Sequence, residues 1–393
     1  MQELKIDFNK ELFNSFEEIV TWRRYLHMNP EISFQEVETP RFIAEKLRSF
    51  GIDVRENIGG NGVVGVIKGH SPGKTIAFRA DFDALPIQDE KEVPYKSTVN
   101  GAMHACGHDG HTAALLGVAK VLSRKRHDLC GTLILIFQPA EEKPPGGAKA
   151  MIDDGVLDGV DYIFGGHLAT DVPIGKVAIR SGASMASVDA FKITIQGKGG
   201  HGAKPHSTVD AVAIGSELVS HLQQIVSRRV DPMEPAVVTV GSFHAGNAFN
   251  IIADTAVLEG TVRALNSDVR TQIEEEIRRI LDGFQTADGI TYTLDYLNGY
   301  PVLENHREET QLIEQLVKEN LSPEALALKK VVLGAEDFAY YLQHRPGAFF
   351  HVGARNENPA TQFAHHHPRF DFDEQAMLVQ GQVFLLLTAH YLL

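Results

Sequence analysis

Cysteine, histidine and acidic side chains gather in a few short stretches of this 393-residue chain, most of them just after an apolar run. Asp81 and Asp83 follow the run ending at Arg79, and His167 follows Tyr-Ile-Phe-Gly-Gly. Cys106 and His108 sit in Met-His-Ala-Cys-Gly-His-Asp, ahead of helical spacing. Glu141 and Glu142 follow Phe137-Gln138-Pro139, and His365-His366-His367-Pro368 precedes the last apolar stretch. A thiolate, imidazoles and carboxylates together suit zinc or another late first-row divalent ion. With only Gly107 between them, Cys106 and His108 can face one side of an extended loop. A lone buried cysteine is usually packing and a lone histidine usually structural. So many such groups at successive strand ends are harder to assign to packing.

The Glu141-Glu142 pair bears on whether such a site is structural or catalytic. Closed structural zinc sites use Cys and His and need no spare carboxylate. A hydrolytic site needs one carboxylate as ligand and another as general base toward a water that the metal acidifies. Neighbouring residues of an extended segment point in opposite directions, so one of the pair is expected to be a ligand. The plainer alternative is a solvated acidic turn before Lys143-Pro144-Pro145. Two other patterns fail on inspection. Gly69-His70-Ser71-Pro72-Gly73 has the letters of a nucleophile elbow, but Pro72 lacks the N–H such an elbow needs, and a strand follows. With Lys74 and Thr75 it is one residue short of a phosphate loop and has no helix after it. A hairpin turn is the expectation there.

The elements that must position these groups alternate. Helical spacing covers Phe8–His27, Pro40–Phe50 and Thr112–Leu122, and strand-like runs cover Val63–Ile67, Thr75–Arg79, Thr132–Phe137 and Tyr162–Phe164. That alternation predicts a largely parallel sheet covered on both faces, a class that binds ligands beyond the carboxyl ends of its strands. The middle of the chain reads strand (Val188–Ile195), helix (Asp210–Val226), two strands (Val237–Phe243, Thr255–Val262), helix (Val269–Phe284), strand (Thr291–Leu297). This β-α-β-β-α-β order describes a ferredoxin-like α+β domain. Beyond Tyr300 the mixed pattern resumes, with a helix at Glu308–Asn320, a short strand at Val331–Leu333, a helix at Asp337–Gln343, a strand at Phe349–Val352 and a closing helix from about Asp373 to Tyr391. The expected architecture is an α/β domain over 1–183 and 300–393, interrupted by a smaller domain over 184–299.

Composition narrows the partners. Lys plus Arg number 37 against 51 Asp plus Glu, a net charge of −14. That balance lacks the basic footprint of a nucleic-acid binder and disfavours docking on anionic lipid. No run approaches the roughly 20 apolar residues of a membrane span, and the acidic start is not expected to be a secretory signal. With two cysteines, Cys106 and Cys130, a disulfide framework is excluded, and a cytoplasmic location is the expectation.

The motifs resemble a known family. Arg-Ala-Asp-Phe-Asp-Ala-Leu-Pro-Ile (79–87), Met-His-Ala-Cys-Gly-His-Asp-Gly-His (103–111) and Gln-Pro-Ala-Glu-Glu (138–142) look like the metal-dependent amidohydrolase branch of the aminoacylase/carboxypeptidase family. Hippurate hydrolases, N-acyl-amino-acid deacylases and auxin-conjugate hydrolases belong to that branch. The likeness continues through Gly-Gly-His-Gly-Ala-Lys-Pro-His (199–206), Gly-Ala-Glu-Asp-Phe-Ala-Tyr-Tyr (334–341) and His-Pro-Arg-Phe-Asp-Phe-Asp-Glu (367–374). It implies a zinc-exopeptidase-like catalytic domain and an inserted lid or dimerisation domain. It also implies two divalent ions (Zn, Mn, Co or Ni) held by Cys106, His108, Glu142, His167 and His366, with Cys106 bridging. Glu141 becomes the general base and Asp83 a carboxylate steadying a ligand. In the inserted domain, His201 is implied as the oxyanion donor, and Asn250 and Arg263 as substrate contacts. Glu336 matches a position that lines the site. His365 and His367 leave the register of the last ligand open, and Gly-His-Leu-Ala-Thr around His167 departs from the family's usual context. The implied partner is a small N-acyl amino acid, with a homodimer or higher homo-oligomer as the assembly. The implied reaction is amide hydrolysis. A dipeptidase or carboxypeptidase on the same scaffold is the alternative, and a metal- or ligand-binding protein without turnover a further one.

Overall fold

The computed structural model describes residues 2–393, with side chains from Phe8 onward. The chain forms two compact units: one of the residues up to Gly182 with Glu304–Lys330 and Asp337–Leu393, the other of Ala183–Leu303 with Val331–Glu336. The second unit thus takes in a stretch that patterning assigns to the α/β domain.

An eight-stranded sheet runs through the larger unit in the order Asp53–Ile58, Gly62–Lys68, Cys130–Gln138, Ser71–Asp81, Tyr162–Pro173, Gly347–Arg355, Val177–Ile179, Leu326–Leu328. The four strands from Cys130–Gln138 to Gly347–Arg355 are mutually parallel, and antiparallel pairings flank that block on both sides. Central strands buried on both faces read as continuous apolar runs, and Ile76, Ala77, Phe78, Leu135, Ile136 and Phe137 are buried accordingly. The helix Ala376–Leu392 is apolar nearly all round because it is buried nearly all round. It packs on the sheet and on the helix His108–Arg124, with Phe384 stacked on Phe78 at 4.6 Å between ring centroids.

Several expectations need correction. The first helix breaks at Ser15 into Gln2–Asn14 and Phe16–Met28, where the Ser15 hydroxyl turns back onto the Glu11 carbonyl. The strand Asp53–Ile58 escapes the pattern because only Val54 and Ile58 are apolar, as suits an exposed edge. The strands on either side of Gly69–Gly73 do not form a hairpin. Both pair with Cys130–Gln138, from opposite sides, so the connection crosses its start. The crossing is close: Gly69 N donates to Gly131 O at 2.8 Å, and a Cβ on Gly69 would lie 2.2 Å from the Leu129 carbonyl oxygen. The strand expected at Val331–Leu333 is only a single bridge from Val332 to Met185, and the sheet instead takes Leu326–Leu328. Glu31 accepts the Val37, Glu38 and Thr39 amides at 2.8–3.0 Å, capping the helix Glu38–Ser49.

The smaller unit has the expected β-α-β-β-α-β order. Its antiparallel sheet runs Ala236–Ala245, Thr255–Ala264, Ser187–Gln196, Thr291–Asn298. Alternation along Ser187–Gln196 buries Phe191, Ile193 and Ile195. Against them lie Leu218, Leu222 and Ile225 of helix Ala211–Arg228, and Ile273, Ile277 and Leu281 of helix Ser267–Asp288. Asp210 caps the first helix by accepting the Val212 and Ala213 amides, and Asn266 caps the second through Asp268 N.

Candidate metal centre

The parallel block delivers the donors. Asp81 and Gln138 are the last residues of neighbouring strands, and the loops after them carry Asp83 and the Glu141-Glu142 pair. His167 lies within its strand rather than at its end, because Tyr162–Pro173 runs on beside Gly347–Arg355 with His167 opposite His351. Cys106 and His108 do not share an extended loop. Gly107 turns the chain at φ +97°, a left-handed value that favours glycine, and His108 opens the helix His108–Arg124. Apolar spacing starts later than this helix does, so its polar first turn was hidden.

Cys106, His108 and His167 each offer a ligand atom within 4.8 Å of the others, and so do Cys106, Glu142 and His366. Cys106 is common to both sets. A third set joins His108, Glu141 and Glu142. Both glutamates therefore turn toward the cluster, contrary to the expected opposite directions, because Ala140 adopts φ +54° and the segment is bent.

Hydrogen bonds set the imidazoles for coordination. His108 Nδ1 lies 3.0 Å from both Asp83 O and Asp83 Oδ1, so it carries a proton and leaves the Nε2 lone pair available for coordination. His167 Nδ1 donates to Leu168 O at 2.7 Å, turning Nε2 toward Cys106 Sγ at 3.5 Å. The three histidines of the 365–367 run have different partners. His366 Nε2 lies 3.3 Å from Glu142 Oε1. His365 Nε2 accepts a long 3.5 Å contact from Thr170 N, which puts its proton on Nδ1, facing Cys106 Sγ at 3.7 Å. His367 stacks on Phe363 and accepts Arg369 N at 3.0 Å.

Two buried atoms here lack a well-aligned hydrogen bond, His108 Nε2 and Glu142 Oε1, 3.7 Å apart; the 3.3 Å contact of His366 Nε2 with Glu142 Oε1 is an ion-pair approach without hydrogen-bond geometry. Buried polar atoms are nearly always paired, so facing orphans fit a cation held between them. Charge points the same way. Burial opposes charge on His108, yet Asp81, then Asp83 and Glu142, push its pKa up to about 10. Burial raises the Cys106 thiol, and the Glu142 and Glu141 carboxylates raise it further, so a thiolate needs a nearby cation. Burial and neighbouring histidines lower His167, which keeps its lone pair available. The donor set fits a late first-row divalent ion.

Asp81, His108 and His111 also converge, but here the Asp81 and His111 atoms are already engaged. His111 Nδ1 meets Asp81 Oδ1 at 2.6 Å, and His111 Nε2 accepts Leu168 N at 2.9 Å. Arg79 takes Asp81 Oδ2 at 2.7 Å and also binds Asp337 at 2.8 Å. The sequence gives His111 no role. Its one signal is the helical spacing of three from His108. His27 bonds Asp109 at 2.7 Å within a buried network that also holds Arg23 and Asp371.

The other expected site residues belong to the smaller unit. His201 pairs with Ile251, and Gly202 N donates to Asn250 O at 2.9 Å, which sets His201 and Asn250 side by side. Ala203 N donates to His201 Nδ1 at 3.0 Å, so the proton sits on the exposed ring's Nε2. Arg263 is half-buried and donates to Val262 O at 3.0 Å and to Thr261 Oγ1. Glu336 is buried.

A mixed, mostly parallel α/β sheet with two overlapping donor sets and an extra carboxylate around its parallel block defines a metallohydrolase type of site. Residues 77–390 match the model of peptidase family M20/M25/M40. The chain is 46% identical over 291 residues to the N-acyl-L-amino acid amidohydrolase of Geobacillus stearothermophilus, covering 74% of this chain and 79% of that one. It is 41% identical over 393 residues to thermostable carboxypeptidase 2 of Saccharolobus solfataricus, covering 98% and 99%. Among solved structures, the YXEP protein of Bacillus subtilis, a dinuclear metal binding peptidase from the M20 family, matches with a TM-score of 0.83 at 36% identity, covering 95% and 98%. The chain belongs to the M20 family and to its amidohydrolase branch. Among the described residues, no helix is long and apolar enough to cross a membrane.

Proposed function

We propose that this amidohydrolase cleaves the amide bond of N-acylated amino acids, using a pair of divalent ions held by Cys106, His108, Glu142, His167 and His366. The observation that carries the reading is the facing pair of orphaned atoms, His108 Nε2 and Glu142 Oε1, with the Glu141 carboxylate in the same cluster. Bound divalent ions supply Lewis acidity toward a carbonyl oxygen and lower the pKa of water. Glu141 takes the proton from the attacking water and returns it to the leaving nitrogen. The water oxygen ends in the released carboxylic acid, and the broken C–N bond leaves a free amino acid. Asp83 fixes the tautomer of His108. His201, with its proton on Nε2, donates to the developing oxyanion. Arg263 binds the α-carboxylate, and Asn250 and Glu336 complete the substrate contacts.

The test is an activity screen of metal-reconstituted protein on N-acetyl amino acids, N-benzoylglycine and dipeptides. Turnover confined to dipeptides would favour the second reading, a carboxypeptidase or dipeptidase, which the likeness to the Saccharolobus carboxypeptidase supports. Turnover of none would overturn both.

A further inference from the structure

We propose that Glu36 is a positioning residue: its carboxylate holds the left-handed turn at Ala140 and so aims Glu141 and Glu142 at the metal cluster. The inference rests on the hydrolase reading, in which Glu141 is the base and Glu142 a ligand.

Ala140 is buried and adopts φ +54°, a conformation that is costly for a residue with a Cβ because that atom crowds the following carbonyl oxygen. Residues persist in such regions where the surrounding structure over-determines them. Here the restraint is a side chain. Glu36 Oε1 accepts the Ala140 N–H at 2.9 Å, and Asn61 Nδ2 approaches Glu36 Oε2 at 3.4 Å. Glu36 is fully buried, and among the described residues it belongs to none of the converging donor sets. A buried N–H without an acceptor is costly, so the turn and the carboxylate depend on each other.

The segment that carries Glu36 is itself fixed. Glu31 caps the helix that follows, and its carbonyl accepts Ala84 N at 2.8 Å. Ser33 Oγ donates to Asp83 Oδ2 at 2.7 Å, and that same oxygen accepts Glu142 N at 3.0 Å. Residues 33–36 therefore reach the glutamate loop at two points, directly at Ala140 and through Asp83 at Glu142. The ends of the loop are pinned separately: Gln138 Nε2 and Ala148 N both donate to Asp337 Oδ2, at 2.8 and 3.0 Å. Between Gln138 and Glu142 the direction of the chain is set at Ala140, where Glu36 bonds.

Substitutions at Glu36 test the role, assayed on the best substrate of the activity screen with saturating zinc or manganese. Glu36→Met fills similar space without a carbonyl or carboxylate, and should lower both kcat and metal affinity, the latter read by chelator competition, by about 10–100-fold. Glu36→Gln keeps a carbonyl for Ala140 N and should stay close to wild type on both counts. Adding Ala140→Gly to Glu36→Met should recover about threefold or more in kcat, because glycine reaches the left-handed turn unaided. A loss of core packing alone would not be recovered in this way. Glu36→Asp keeps the charge but draws the acceptor back by one methylene, and carries the test in the same direction if Glu36→Met does not fold. Wild-type kcat and metal affinity in Glu36→Met or Glu36→Asp, equal damage in Glu36→Gln, or no recovery with Ala140→Gly would overturn the role. If no N-acyl compound or dipeptide is hydrolysed, the hydrolase reading fails, and a crystal structure of the Met or Asp variant still decides the role of Glu36. Ala140 leaving the left-handed region there supports it, and Ala140 unchanged with both glutamates in place counts against it.

Discussion

Two histidine–carboxylate clusters share the first turn of the helix His108–Arg124, and their hydrogen bonding separates them. Around His111, both ring nitrogens, both Asp81 oxygens and the Arg79 guanidinium are engaged at 2.6–2.9 Å. Around His108, one nitrogen is fixed by Asp83 while the other makes no hydrogen bond and lies 3.7 Å from Glu142 Oε1. The residue types are nearly the same. In the proposed reading, unmet bonding capacity rather than composition marks which cluster would hold an ion and which would hold the fold.

The sharpest way to break that contrast is at the general base. Glu141→Ala should lower kcat by about 10²–10⁴-fold while metal content, read by elemental analysis, stays near wild type. Full turnover in that variant would remove Glu141 from the role. Asp83→Asn is expected to weaken metal affinity by roughly 10–100-fold, since it loosens the tautomer of His108, and competition with a chelator measures it. His111→Gln should do the reverse, keeping metal stoichiometry but costing about 1.5–3 kcal/mol of stability in urea unfolding, because it breaks a buried bond to a charged group. Loss of metal in His111→Gln would erase the distinction between the clusters.

How far the sequence exposed this contrast depended on the residue. The two glutamates and His167 stand out because apolar runs precede them in the sequence, and Cys106 and His108 because a thiol and imidazoles cluster just ahead of helical spacing. The fold class and the β-α-β-β-α-β unit followed from periodicity. Patterning failed where tertiary contacts override it. Val331–Leu333 is as apolar as a strand but forms only one bridge, whereas Leu326–Leu328 gains a full parallel partner. The bend at Ala140 reversed the expected divergence of Glu141 and Glu142.

A smaller effect concerns pH. Burial works to raise the Asp371 pKa, but Arg23 at 2.8 Å and the Tyr95 hydroxyl hold it below the usual carboxylate range. The unfolded chain therefore binds the proton first, at about pH 3.9, so stability rises with pH through that window. This contribution is complete above the unfolded value and is lost as pH falls through the folded one. Urea midpoints of wild type and Asp371→Asn should differ most near pH 7 and converge toward pH 3. A constant gap would contradict the assignment.

Anomalous scattering from crystals grown with zinc or manganese tests the central claim most directly. The account predicts two peaks sharing Cys106 Sγ, one beside His108 and His167 and the other beside Glu142 and His366. Peaks at Asp81 and His111, or none within this cluster, would contradict it.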